Sequence, residues 1–102
     1  MFKYTRKPTS PGELLLEEFL KPLGISQREL ATHIGSDYKV VNRIVNEKAS
    51  VTPEIAVRLA LALDTTPEFW LNAQMAQDLW MLRGKRKITS IVRAVNEGKK
   101  AA

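Results

Sequence analysis

Two short helix-forming stretches, Gln27–Ile34 and Tyr38–Val45, are separated by only Gly35-Ser36-Asp37. A junction this brief leaves room for one tight turn between two helices packed against each other. Each stretch carries its own start signal. Ser26 with Glu29 three residues on reads as a capping box, and Asp37 caps the second stretch. Leu30, Ala31 and Ile34 face inward from the first stretch. Val40, Val41, Ile44 and Val45 do so from the second. Ala31 is small where the helices must approach closely, and Gly35 supplies the positive φ of the turn. The opposite face of the second helix carries Tyr38, Lys39, Asn42 and Arg43. Arginine and lysine suit guanine, asparagine suits adenine, and tyrosine suits a phosphate or a thymine methyl. A plain helical hairpin with a polar surface shares the periodicity, but it does not require the small residue, the glycine and the apolar pair together. The combination predicts a DNA-binding helix-turn-helix at about residues 27–46.

The remaining punctuation is equally helical, and no stretch alternates as a strand would. Ser10 precedes Pro11 and stands three residues before Glu13, which predicts a capping box opening a first helix. That helix is expected to bury Leu15, Leu16, Phe19, Leu20 and Leu23 and to end near Lys21, ahead of Pro22 and Gly24. Thr52-Pro53 opens a fourth helix through Leu63, with Ile55, Leu59, Ala60 and Leu63 inward. Thr66-Pro67 opens a fifth to about Arg83, stopped by Gly84. Ile88, Ile91, Val92 and Val95 give the tail a weaker helical pattern, with frayed polar residues expected after Gly98. The predicted class is all-α, a five-helix repressor-like domain over residues 10–83. A basic arm at 1–9 precedes it, and a basic extension at 84–102, helical or dimerising, follows.

Charge agrees with this division. The net charge is +5 over 102 residues. Residues 1–10 hold three cations and no acid; residues 83–102 hold seven cations against Glu97, which leaves the middle at −4. Basic ends suit nucleic acid and also suit a solvated tail, so charge alone does not choose. The absence of cysteine excludes a disulfide framework and a thiol nucleophile. No apolar run approaches the roughly 20 residues that span a bilayer. The N-terminus lacks the apolar stretch of a signal peptide, so a cytoplasmic location with no membrane partner is expected. No metal-ligand spacing, phosphate loop or nucleophile–base pair appears. No enzyme activity, metal or cofactor is expected.

Three segments, PGELLLEEFLKPLGIS at 11–26, NRIVNEKASVTPEIAVRLALAL at 42–63 and TPEFWLNAQ at 66–74, are similar to the HigA family of addiction-module antitoxins. That family lies within the phage-repressor-like class of helix-turn-helix regulators. The resemblance implies a homodimer, a palindromic operator in double-stranded DNA, and a partner toxin that cleaves mRNA on the ribosome. It implies base-reading positions at Tyr38, Lys39, Asn42 and Arg43. Gln27, with Arg28 beside it, is expected at a phosphate. Lys48 and Ser50 fall in the loop where the family contacts the DNA backbone. Two residues depart from the pattern: Asp37 stands where serine is common, and Glu47 where glycine is usual. The second departure predicts a left-handed non-glycine residue at a cost of roughly 1 kcal/mol.

Some features have two readings. Glu13, Glu17 and Glu18 are favourably placed near a helix N-terminus, with Glu17 poised to pair with Lys21; they also form an acidic surface for a basic toxin. Phe69, Trp70 and Trp80 suit either the core or a dimer interface. His33 has no matching second ligand and reads as structural or exposed. A helix-turn-helix regulator with no toxin partner would use the same DNA face.

Overall fold

The computed structural model describes residues 6–84 and 88–101. Lys3 of the basic arm, and Lys85, Arg86 and Lys87 of the tail, lie outside them. Among the described residues every regular element is helical, in the order α1 (Pro11–Leu14), a π-helical stretch (Leu15–Leu20), α2 (Lys21–Leu23), α3 (Gln27–His33), α4 (Tyr38–Val45), α5 (Pro53–Leu63), α6 (Pro67–Leu82) and α7 (Ile91–Ala101). The first three run on without a break, since Leu14, Leu15, Leu20 and Lys21 all keep right-handed helical angles. The architecture is therefore five helices followed by a sixth in the C-terminal extension.

The first helix departs from the sequence expectation in three ways. It passes through Pro22 and stops at Gly24, which is left-handed at φ 69° and closes a Schellman turn through Ile25 N–H to Leu20 C=O at 3.1 Å. Its middle is widened; Lys21 N–H donates to Leu16 C=O, five residues back. A proline ring inside a regular α-helix collides with the carbonyl four residues earlier, and a wider turn ahead of Pro22 relieves that clash. The widening also resets the buried face. Leu15 and Leu20, five apart, are both buried, Leu16 and Phe19 are half-buried, and Leu23 is 59% exposed. Finally, Ser10 Oγ accepts from Glu13 N–H at 3.1 Å, but no return bond from the Glu13 carboxylate completes the expected box. The reciprocal box does form at α3, between Ser26 and Glu29.

The core gathers Leu15 and Leu20 from the first helix, Leu30, Ala31 and Ile34 from α3 and the residue after it, and Val41 and Ile44 from α4. Val51, Ala56, Leu59, Ala60 and Trp70 complete it. Ala56, wholly buried, was absent from the predicted face of α5. Trp70 sits at the centre with no exposed surface, and its indole Nε1 donates to Thr65 Oγ1 at 2.7 Å. Phe19 and Phe69 pack on it with ring centroids 5.3 and 5.0 Å away. In α7 the helix continues through Gly98 to Ala101 rather than fraying, while Ile88 lies outside it.

The first helix meets α4 backbone to backbone. Ser10, Pro11 and Gly12 are buried, and a Cβ placed on Gly12 would lie 2.0 Å from Ile44 O and 2.9 Å from Val45 Cα. Only a hydrogen fits there. Gly12→Ala is therefore expected to force α4 away from the first helix and to lower stability by about 1–3 kcal/mol, read as a lower denaturant midpoint at unchanged m-value.

Candidate nucleic-acid interface

The second helix of the hairpin, α4, is held from beneath by Val41 and Ile44, both buried. Its start is fixed by Asp37, whose Oδ1 accepts from Lys39 N–H at 2.8 Å. The Asp37 carboxylate is thus engaged in capping. The turn before it is closed by Gly35 at φ 68°, with Ser36 N–H donating to Ala31 C=O at 2.8 Å. Arg58 of α5 reaches under this turn. Its Nη1 donates to Ile34 O at 2.8 Å and to Gly35 O at 3.1 Å, meeting carbonyls that the end of α3 leaves unpaired. Nothing in the sequence pattern singled Arg58 out, because a cation on a helix flank usually marks a solvated face.

Above this base, four of the predicted residues converge. Asn42 Nδ2 donates to Gln27 Oε1 at 3.0 Å and lies 3.3 Å from Tyr38 Oη. The Arg28 guanidinium stacks over the Tyr38 ring, 4.3 Å from its centroid. The network joins the N-terminus of α3 to the outward face of α4 and limits the freedom of all four side chains. Lys39 and Arg43 are exposed on the same helix. Arg43 Nη2 also donates to Lys48 O at 3.0 Å, which ties α4 to the loop that follows.

That loop begins at Glu47, which has φ 58°, the left-handed conformation the sequence predicted for a residue in a glycine's place. Glu47 N–H donates to Ile44 O at 3.1 Å and Lys48 N–H to Arg43 O at 2.7 Å, a complete Schellman turn. Lys48 and Ser50 lie exposed beyond it. The result is one surface bearing cations and hydrogen-bonding groups from α3, α4 and the loop. Such a surface is suited to the edges and phosphates of a duplex.

Other candidates lie elsewhere. Glu13, Glu17 and Glu18 are exposed on the first helix, and Glu17 pairs with Lys21 at 2.6 Å, a solvent-exposed ion pair worth little by itself. Trp70 offers no surface to a partner, Phe69 is 40% exposed, and half-buried Trp80 stacks under Arg83 at 3.6 Å. His33 is exposed, and no group of three acidic or histidine side chains among the described residues could hold a metal. No described helix is long and apolar enough to cross a membrane.

Comparison with known proteins points the same way. A helix-turn-helix family model matches residues 16–70, which include α3, α4 and α5 entirely. Antitoxin HigA-1 of Vibrio cholerae is 45% identical over 85 residues, covering 83% of this chain and 80% of that protein. The solved structure of antitoxin GraA is 45% identical, with a TM-score of 0.75, and the match covers 78% of this chain and 86% of that one. Pseudomonas aeruginosa antitoxin HigA, solved with the higBA promoter, is 33% identical with a TM-score of 0.75, covering 82% of this chain and 98% of that one. The chain belongs to the helix-turn-helix family that includes the HigA antitoxins.

Proposed function

We propose that this chain is a DNA-binding antitoxin that represses its own operon as a homodimer and neutralises an mRNA-cleaving toxin by direct binding. The observation that carries the DNA half is the outward face of α4. It holds Tyr38, Lys39, Asn42 and Arg43 over a base of buried Val41 and Ile44, with Gln27, Arg28, Lys48 and Ser50 around it. HigA of Pseudomonas aeruginosa, similar over most of both chains, was solved with the higBA promoter. The toxin half rests on the similarity to antitoxins HigA-1 and GraA.

In this reading, two α4 helices of a dimer enter successive major grooves about 34 Å apart on a palindromic site. Lys39, Asn42 and Arg43 choose bases, with Tyr38 against a methyl or phosphate. Gln27, Arg28, Lys48 and Ser50 contact the backbone and contribute affinity without sequence preference. Lys48 is well placed for this because the Schellman turn and the Arg43 bond to its carbonyl fix its backbone. The chain's work is binding rather than catalysis.

Binding to the DNA upstream of its own gene is expected to weaken steeply as salt rises, since each phosphate neutralised releases counterions. In a fluorescence anisotropy titration, Arg43→Ala should cost about 1–3 kcal/mol and relax choice at one operator position. An unchanged affinity and sequence preference would remove Arg43 from the reading set. For the toxin half, co-expression should rescue growth from a toxin encoded beside this gene, and the two proteins should co-elute. Failure of both would leave a regulator acting on DNA alone.

A further inference from the structure

One polar chain in the structure begins beneath the loop that follows α4 and ends on the residue that opens it. Val51 N–H, buried where the loop enters α5, donates to Gln74 Oε1 at 2.9 Å. Because a backbone N–H can only donate, the Gln74 amide has one possible orientation, with Nε2 turned toward Asp78 Oδ1 at 2.9 Å and Gln77 Oε1 at 3.4 Å. The Gln77 amide is oriented in the same way, since its Nε2 donates to the Glu47 carboxylate at 2.7 Å. α6 therefore holds the loop at both ends, through Gln74 at Val51 and Gln77 at Glu47. Glu47 is the residue held at φ 58°, and Lys48 and Ser50 lie between the two anchors.

We propose that Gln74 and Gln77 of α6 are positioning residues for DNA binding, acting through Glu47 and Val51 to hold Lys48 and Ser50 against the DNA backbone. The inference rests on the reading that this loop meets the DNA. It also gives Glu47 a role. A carboxylate beside the expected phosphate track would oppose binding if it were free to turn toward them, by like-charge repulsion. Tied to Gln77, it anchors the loop from the α6 side. A glycine there would adopt the same φ without strain, but nothing would reach α6.

The test compares four variants by operator affinity at two salt concentrations, with thermal melting to keep every measurement well below unfolding. Lys48→Ala is the reference for the loop's contact, and should weaken binding and lower the salt slope by about one. Gln77→Ala should weaken binding roughly three- to tenfold, the scale of one solvent-exposed hydrogen bond lost, with base preference intact. Gln77→Glu sets two carboxylates face to face and should weaken it further. The exchange Glu47→Gln with Gln77→Glu restores a donor–acceptor pair at unchanged net charge, and should return affinity to within about twofold of the parent. The proposal is overturned if Gln77→Ala binds like the parent while Lys48→Ala does not, or if the exchange binds no better than Gln77→Glu. If Lys48→Ala itself binds like the parent, the loop does not meet DNA and the proposal falls with that reading.

Discussion

The close approach of Gly12 to Ile44 sets the geometry on which the DNA-facing surface depends. A helix that presents side chains to a groove must have its axis fixed, and α4 has only eight residues with which to fix it. Val41 and Ile44 anchor it through the core, but side-chain packing alone tolerates small shifts. Backbone against backbone does not. With a hydrogen in place of a Cβ at Gly12, the first helix lies directly on the last turn of α4, and Ser10 and Pro11 beside it are buried as well. The start of the first helix is thus part of the support of the DNA-facing helix.

The rest of the support is polar. Short helices leave a high proportion of terminal N–H and C=O groups unpaired, and here nearly every end has a named partner. Asp37 caps the start of α4, Arg58 satisfies the carbonyls at the α3–α4 turn, and the Schellman turn at Glu47 closes the end of α4. Gln74, almost wholly buried, supplies an acceptor to Val51. Asp37, Arg58 and Gln74 act through side chains and the turn at Glu47 through its backbone, and together they fix the hairpin and its loop as one body.

The hairpin was legible because each of its requirements leaves a local mark. Ser26 and Glu29 cap reciprocally, Gly35 is left-handed, and α4 spans Tyr38–Val45 as its pattern predicts. Glu47 was legible for the opposite reason, as a non-glycine residue where a left-handed turn was expected. The first helix was less so. A 3.6-residue period assigned Leu23 inward, but the widening ahead of Pro22 turned the face and left Leu23 in solvent. Trp70 could not be divided between core and interface by composition, because both environments favour tryptophan. Its partner Thr65 and its complete burial decide for the core.

The helix-turn-helix at residues 27–46 therefore follows from sequence alone, since caps, glycine and apolar spacing act within a few residues of one another. The same holds for the two threonine-proline starts of α5 and α6, where Thr52 and Thr66 each accept from the residue three further on. What only the tertiary structure decided are the contacts between residues far apart in the chain. Gly12 against Ile44, Arg58 beneath Gly35, Gln74 at Val51 and Gln77 at Glu47 leave no periodic trace. Their partners come into reach only when helices pack, because a polar side chain on a helix flank looks the same in sequence whether it meets water or a backbone group. Local chemistry specifies the elements, and packing specifies which polar groups meet.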